Sequence, residues 1–163
     1  MTTVSAKFAS LTSADLLISL LAPVGWDIDI VDDLKFRMLG PLDEAADYRP
    51  TISFQLGEPE TAGRAWFDSF TAAAEQQLRE TRPGYELVRT EGYQLSSLAP
   101  LHAIWYRWHA PEGYAFSQLQ AFVWAGSTRM YVINAATLQH LEERDFPIYD
   151  AMLHSLRLLP PRT

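Results

Sequence analysis

The sequence predicts an α+β fold in which an antiparallel β-sheet of about six strands packs with two main α-helices. Apolar and polar residues alternate with a period of two over most of the chain, as in half-buried strands. The period changes to about four between residues 63 and 79, and a second helical pattern follows near the C-terminus. Strands, a helix, strands and a helix in this order are typical of α+β proteins. We expect one domain over residues 1–163, because 163 residues suit a single hydrophobic core.

The N-terminal part is predicted to form strands. The stretch LLISLLAPVGWDIDIV contains one strand, a turn at Pro23 and Gly25, and a second strand. In the second strand Trp26, Ile28 and Ile30 point to one side, so we expect that side to be buried. The segments KFRMLG and PTISFQLGEP show the same alternation and predict two further strands.

The first helix is predicted from Gly63 to Arg79. Its apolar residues recur at four-residue intervals, at Trp66, Phe70, Ala74 and Leu78, and Pro83-Gly84 ends the pattern.

Four further strands are predicted in YELVRTEGYQL, LHAIWYRWHAP, FSQLQAFVWAG and RMYVINAAT. Turn residues at Pro111–Gly113 and Gly126–Thr128 indicate hairpins between them. The last helix is predicted in DFPIYDAMLHSLRLL, with Asp145 as its N-cap and a proline in its first turn. Its apolar face comprises Ile148, Met152, Leu156 and Leu159.

Charge and composition exclude several classes of function. The formal net charge is −7, with 20 acidic and 13 basic side chains and no run of Lys or Arg, which argues against nucleic-acid binding. The chain has no cysteine, so disulfides, thiolate metal sites and cysteine nucleophiles are excluded. The N-terminal segment is a poor signal peptide and too short to cross a bilayer. We therefore expect a cytoplasmic protein without stable membrane insertion.

Motifs for catalysis or for cofactors are missing from the sequence. No Gly-x-Ser-x-Gly elbow or phosphate-binding glycine loop occurs. His102 and His109 are seven residues apart on one strand, so they point to opposite faces and cannot share a metal ion. Ser155 follows His154 on a helix, where neighbouring side chains diverge. We predict no enzyme activity, no catalytic residues, no metal site and no cofactor.

Several local signatures, taken in order, resemble the PsbP-like family. LLAPVGW resembles its opening Pro-x-Gly-Trp turn, and PTISFQLGEP resembles the next strand, which ends in Glu-Pro. QLQAFVWAGSTRMYVINAAT resembles its paired C-terminal strands, and MLHSLRL its last helix. The chain departs from the family at Ala99–Ala103, where relatives carry a Gly-x-Pro-Ala turn.

The resemblance implies a fold, with bacterial DcrB-like branches and the fungal Ran-binding Mog protein among its relatives. Protein binding is the theme of these branches, and some bacterial ones are chaperones of secretion effectors. The resemblance therefore implies a non-catalytic adaptor or chaperone-like module that binds a protein or peptide. No individual functional residue can be transferred, because the branches share core positions rather than site motifs.

Strand parity places the candidate binding residues. In HAIWYRWH, one face carries Tyr106 and Trp108, and the other carries Trp105, Arg107 and His109. The next strand presents Gln118, Gln120 and Trp124 on one face, beside one of these two sets, and the register between the strands stays open. We favour the charged set, because burial would penalise its charges. The predicted partner-binding residues are then Trp105, Arg107, His109, Gln118, Gln120 and Trp124.

Three alternatives stay open. This face could be covered by the N-terminal segment or by a second subunit of a homodimer. The protein could also carry a small apolar ligand in a pocket between sheet and helix, lined by Trp66, Phe70 and the sheet aromatics.

Overall fold

The computed structural model describes residues 6–57, 63–126 and 129–160. This part of the chain contains two α-helices, Arg64–Thr81 (α1) and Glu142–Ser155 (α2), and a 3-10 turn at Gln139–Leu141. The strands are Phe8–Ser13 (β1), Ile18–Pro23 (β2), Asp27–Asp32 (β3), Lys35–Leu39 (β4), Thr51–Gly57 (β5), Glu86–Gln94 (β6), Pro100–His109 (β7), Ala115–Trp124 (β8), Met130–Leu138 (β9) and Arg157–Leu158 (β10).

The strands form two antiparallel sheets. The large sheet has seven strands in the order β3-β4-β5-β9-β8-β7-β6, and the small sheet has three in the order β1-β2-β10. The predicted α+β class with two helices is confirmed. The sequence pattern missed β1 and β10, which pair with the two sides of β2 and belong to the small sheet.

One face of the large sheet packs against α2 and the small sheet, and we call it the α2 face. Its core side chains alternate along the strands, as the period-two pattern predicts. Trp105, Leu119, Ile133 and Phe54 from four different strands are at most 1% exposed, and Tyr149 and Met152 of α2 close the core over them. This is the larger of two apolar clusters.

The opposite face packs against α1, and we call it the α1 face. Phe67 and Leu78 of the helix are buried against Ile104, Tyr106 and Phe122 of the sheet. Trp66, Phe70 and Ala74 pack at the margin of this cluster and stay half-buried. The predicted helix face therefore contacts the sheet, and α1 extends two residues beyond the predicted end.

The structure differs from the sequence prediction at α2 and at β3. Helix α2 begins at Glu142, so Asp145 is not its N-cap but a buried residue of the first turn. It accepts a hydrogen bond from the Thr137 hydroxyl, at 2.5 Å, which fixes it against β9. The apolar side of β3 is not buried: Ile28 is 48% and Ile30 is 66% exposed, because β3 is an edge strand that nothing described here covers.

The turns use glycine where the backbone requires a positive φ. Gly25, Gly113 and Gly126 have φ values of 92°, 103° and 91° and stand at the three predicted turns. Ser127 and Thr128 of the third turn lie outside the described residues, as do Glu58 and Pro59 of the PTISFQLGEP signature. Within the described ranges, neither helix is both long enough and apolar enough to cross a membrane.

Candidate functional site

Hydrogen-bonded register determines which candidate residues share a face. Trp105 lies opposite Leu119, and Tyr106 lies opposite Gln118. Gln118, Gln120 and Trp124 therefore lie on the α1 face, whereas Trp105, Arg107 and His109 lie on the α2 face. The favoured register was wrong, and the six predicted partner-binding residues do not form one surface.

Trp105 is part of the hydrophobic core. Its side chain is 0% exposed and meets the ring of Phe146 edge-on, with 4.8 Å between ring centroids. The guanidinium of Arg89 lies 4.3 Å from the centroid of the indole ring. This is a cation–π contact, and it is formed inside the protein by Arg89 of edge strand β6.

Arg107 escapes the expected burial penalty because α2 supplies a carboxylate. Its Nε and Nη2 donate to the two carboxylate oxygens of Glu142, at 2.8 and 2.7 Å. Ser117 donates a third hydrogen bond to Glu142, at 2.6 Å. These bonds, led by that from Arg107, hold the pKa of the Glu142 carboxyl below its usual value. Arg107 thus connects the sheet to α2 and is occupied by an internal partner.

His109 and Trp124 stand at the ends of their strands. His109 is exposed and lies beside Gly84, where a Cβ on the glycine would come within 2.8 Å of the imidazole. Trp124 is half-buried under the start of α1 and stacks on Phe67, with 6.3 Å between centroids. It also lines a cavity of about 500 Å³ with Leu98, Arg129 and Leu158.

A polar row crosses the α1 face beyond the helix. Gln120 on β8 lies directly opposite Asn134 on β9, which lies opposite Ser53 on β5. The row continues to Arg37 on β4 and Asp29 on β3, which form an exposed ion pair at 2.7 Å. We call the uncharged part of this surface the polar strip, comprising Ser53, Gln55, Gln118, Gln120 and Asn134. Helix α1 lies over β7 and β8 and leaves the strip accessible within the described structure.

The polar strip has unused hydrogen-bonding capacity. Gln118 accepts a hydrogen bond from the Tyr106 hydroxyl, at 2.6 Å, and the Ser53 hydroxyl donates to the carbonyl of Asn134, at 3.4 Å. For Gln55, Gln120 and the Asn134 side chain, no hydrogen bond to any described residue is formed. Each primary amide offers two donors and an acceptor. The strip can therefore donate to and accept from a bound molecule.

Aromatic residues border the polar strip on two sides. On the helix side, Trp66 stacks on Phe70, whose ring meets Phe122 edge-on, with 5.0 Å between centroids. At the end where β7 joins β8, Phe116 contacts a second group of rings. These are Tyr48, Trp108 and Tyr114, with centroids between 5.5 and 5.7 Å from that of Phe116. The arrangement combines exposed or half-buried amides with partly exposed aromatic edges.

The serine and histidine side chains that could act in catalysis have other partners or stand apart in the described structure. Ser155 donates to the Met152 carbonyl and accepts from the Leu21 amide, both at 2.8 Å, so its hydroxyl is bonded to backbone rather than to His154. His140 lies 2.8 Å from Asp43 in an exposed pair, and its hydrogen bond lowers the pKa of the Asp43 carboxyl. Burial lowers the pKa of the half-buried His102. The absence of enzyme activity stays a prediction.

The two helix residues expected to line a pocket for a small apolar ligand contact each other and the sheet. Trp66 and Phe70 pack against each other and against the sheet rather than around a pocket. A cleft of about 250 Å³ does lie between α1 and strands β6 and β7, but polar residues such as Arg64, Asp68 and His102 line much of it.

Comparison with known proteins identifies the fold. No family model matches the chain, and no curated protein sequence matches it. Among solved structures, PA94 of Pseudomonas aeruginosa, a protein of unknown function, is 16% identical with a TM-score of 0.64, covering 97% of this chain and 99% of that one.

Two further structures resemble the chain over nearly its whole length. The Ran-binding protein Mog1p of Saccharomyces cerevisiae is 10% identical, with a TM-score of 0.63 and coverage of 95% of this chain and 97% of that one. Cyanobacterial PsbP of Synechocystis is 13% identical, with a TM-score of 0.65 and coverage of 97% and 96%. The resemblance inferred from the sequence motifs is confirmed at the level of the fold, and the chain has the PsbP/Mog1-like fold.

Proposed function

We propose that the protein is a non-catalytic binding module that holds a segment of a partner polypeptide on the polar strip. The observation that carries this proposal is the cross-strand row Gln120–Asn134–Ser53, which no described element covers and whose two side-chain amides form no hydrogen bond to a described residue. That a protein with this fold, Mog1p, is a Ran-binding protein supports the class of function but not the partner.

The chemistry of the strip favours a polypeptide over other partners. A peptide backbone presents amide donors and carbonyl acceptors, which the amides of Gln55, Gln120 and Asn134 can pair with. Apolar side chains of the same segment would contact the edges of Trp66 and Phe70, and aromatic residues are enriched where proteins bind each other. The strip itself carries no charge, and the net charge of −7 disfavours nucleic acid.

Site-specific photo-cross-linking tests this proposal in the cells from which the protein comes. We place p-benzoylphenylalanine at Gln120 or, as the matched control, at Gln76, an exposed glutamine of α1 that is bonded to Glu80. We expect a discrete protein adduct from position 120 and none from position 76. Mass spectrometry of the adduct then identifies the partner and the cross-linked segment.

Binding of the purified partner provides the decisive measurement. Asn134→Arg places a long charged side chain in the strip and should weaken binding at least tenfold, as a desolvated charge costs about 1.4 kcal/mol or more. Gln76→Arg should leave binding unchanged. Equal cross-linking from both positions, or equal affinity of both arginine variants, would refute the polar strip as the binding surface.

As a second candidate function, we propose that the protein carries a small apolar ligand in the cavity beside Trp124, which differs from the pocket predicted beside Trp66 and Phe70. Its volume of about 500 Å³ lies in the range of small-molecule pockets, and Leu98 at its rim is 74% exposed. Native mass spectrometry of freshly purified protein would show a bound mass that Leu98→Arg removes. An unliganded spectrum from cells grown under several conditions would exclude this function.

We also propose that two copies of the protein form a homodimer, in which the second copy covers apolar side chains that are exposed in the single chain. Ile30 and Leu34, on and just after edge strand β3, are 66% and 52% exposed. Light scattering after size exclusion tests this, and Ile30→Lys should convert the dimer to a monomer. Wild-type protein that stays monomeric at about 100 µM would rule out a stable dimer, because a stable dimer has a Kd well below this concentration.

A further inference from the structure

Three metal-ligating side chains converge at the edge of the large sheet that lies farthest from β3. Glu91 comes from edge strand β6, and Asp150 and His154 come from α2, four residues apart. One ligand atom from each of the three lies within 4.8 Å of those of the other two. The His154 Nε2 and Asp150 Oδ1 are 3.4 Å apart. Two ligands of a tetrahedral Zn²⁺ ion with bonds of about 2.0 Å stand about 3.3 Å apart, so this pair already has the required spacing.

Packing of α2 against the core and contacts with β6 hold these side chains in place. Tyr149, Met152 and Leu153 of α2 are 0% exposed and fix the helix against the core. Residues 150 and 154 share one side of the helix, because they are one turn apart. Their proximity to Glu91 and Tyr93 shows that this side faces β6. The ring of Tyr93 on β6 stacks on the His154 imidazole, with centroids 4.5 Å apart and an angle of 10° between planes. The imidazole orientation is thus set by protein contacts.

A second observation concerns the polar atoms of this cluster. The Asp150 Oδ1 atom and the Tyr93 hydroxyl are both buried, and neither has a hydrogen-bond partner within the described residues. Buried polar atoms are rarely left unpartnered, because the loss of water costs about 1–3 kcal/mol and more for a charged group. A cation bound by Asp150 would satisfy its orphaned oxygen.

The charges around the cluster suit a single divalent ion. The carboxylates of Glu91 and Asp150 carry a charge of −2, which the guanidinium of Arg89 beside Glu91 lowers to −1, so the cluster attracts a single cation. Arg89 donates to one oxygen of Glu91 and also lies over Trp105. That contact leaves the second oxygen of Glu91 free, and it orients the carboxylate from the side of the sheet.

We propose that Glu91, Asp150 and His154 bind one divalent transition-metal ion, and that this ion links edge strand β6 to helix α2. One nitrogen and two oxygen ligands suit Zn²⁺ and leave a fourth position for water. The site is separate from the polar strip, which lies on the opposite face of the sheet, so the two proposals stand or fall independently. The sequence prediction of no metal site considered His102 and His109, whereas this cluster depends on tertiary contacts.

Calorimetric titration of the untagged full-length chain with ZnCl₂, after removal of metals with EDTA, tests the proposal. We expect saturable binding of one Zn²⁺ per chain and a higher melting temperature in its presence. His154→Ala and Asp150→Asn should each weaken Zn²⁺ binding by about tenfold or more. Co²⁺ should give visible absorption bands with the wild-type chain that both variants lose.

The matched control is His140→Ala. His140 and Asp43 form another exposed histidine–carboxylate pair, at 2.8 Å, but no third ligand joins them in the described structure. This variant should bind Zn²⁺ as the wild type does. Circular dichroism checks that His154→Ala folds. If this variant does not fold, Glu91→Gln serves as the second test, and we expect it to weaken Zn²⁺ binding as well. The proposal would be overturned if the wild-type protein bound no Zn²⁺ at about 1 mM, a concentration that would fill even a weak site. It would also be overturned if the variants bound Zn²⁺ as tightly as the wild type.

Discussion

The two faces of the large sheet differ in how completely they are covered. The α2 face is sealed by a helix and a second sheet, and its polar groups, such as Arg107 and Asp145, have internal partners. Among the residues described, only helix α1 covers the α1 face, and the rest of that face presents amides without such partners. Adjacent residues on one strand therefore have different roles: Trp105 stabilises the fold, while Tyr106 positions Gln118 at the border of the open surface.

The largest expected effect tests the sealed face. Trp105→Ala should lower the free energy of unfolding by about 3–5 kcal/mol, because it removes a fully buried indole and leaves a cavity. Trp108→Ala is the matched variant on the α1 face, where the indole is half-buried, and should cost clearly less. Urea unfolding measures both. Equal losses would contradict the difference between the faces.

The next effect concerns the buried hydrogen bond between Thr137 of β9 and Asp145 of α2, on the α2 face. Thr137→Val keeps the side-chain volume but removes the hydroxyl that donates to Asp145, so we expect a loss of about 2 kcal/mol. Thr90→Val, at an exposed position of the edge strand, should change stability by less than about 0.5 kcal/mol. A Thr137 variant as stable as wild type would mean that Arg144 alone satisfies Asp145.

A pH-dependent effect follows from the Arg107–Glu142 pair. The pKa of Glu142 is lowered in the folded protein, so its contribution is complete above the ordinary value of about 4.5 and is lost as pH falls through the lower folded pKa. Glu142→Gln should cost about 1 kcal/mol at pH 7, since the pair is partly exposed, and the difference should shrink below pH 4.5. Thermal unfolding from about pH 3 to about pH 8 measures it. A difference that stays constant with pH would contradict the assignment.

The sequence predicts those features of the fold that depend on neighbouring residues, and it fails for those that depend on contacts between residues far apart in the chain. Period-two alternation is local, so the pattern of apolar residues alone was enough to place β7, β8 and β9. Parity also separated Trp105 from Tyr106 correctly. The choice between the faces failed because the burial penalty of Arg107 is removed by Glu142, which is 35 residues away.

The candidate sites show the same dependence. Gln118, Gln120 and Trp124 were predicted on one face, but Asn134 and Ser53 join that face only through pairing with β9 and β5. The i,i+4 spacing of Asp150 and His154 was visible in the sequence. Glu91 and Tyr93 were not assignable to them, because the contact of β6 with α2 is set by tertiary packing.

The smallest expected effect tests whether the polar strip is open. The side chain of Gln120 forms no hydrogen bond to any described residue, so Gln120→Ala should change the free energy of unfolding by less than about 0.5 kcal/mol. Gln118→Ala removes the acceptor of the Tyr106 hydroxyl and should cost about 1 kcal/mol. Chemical unfolding of the two variants side by side gives the comparison. A loss above about 1 kcal/mol for Gln120→Ala would mean that the strip is covered in the free protein, and a partner would then have to displace that cover before it could bind.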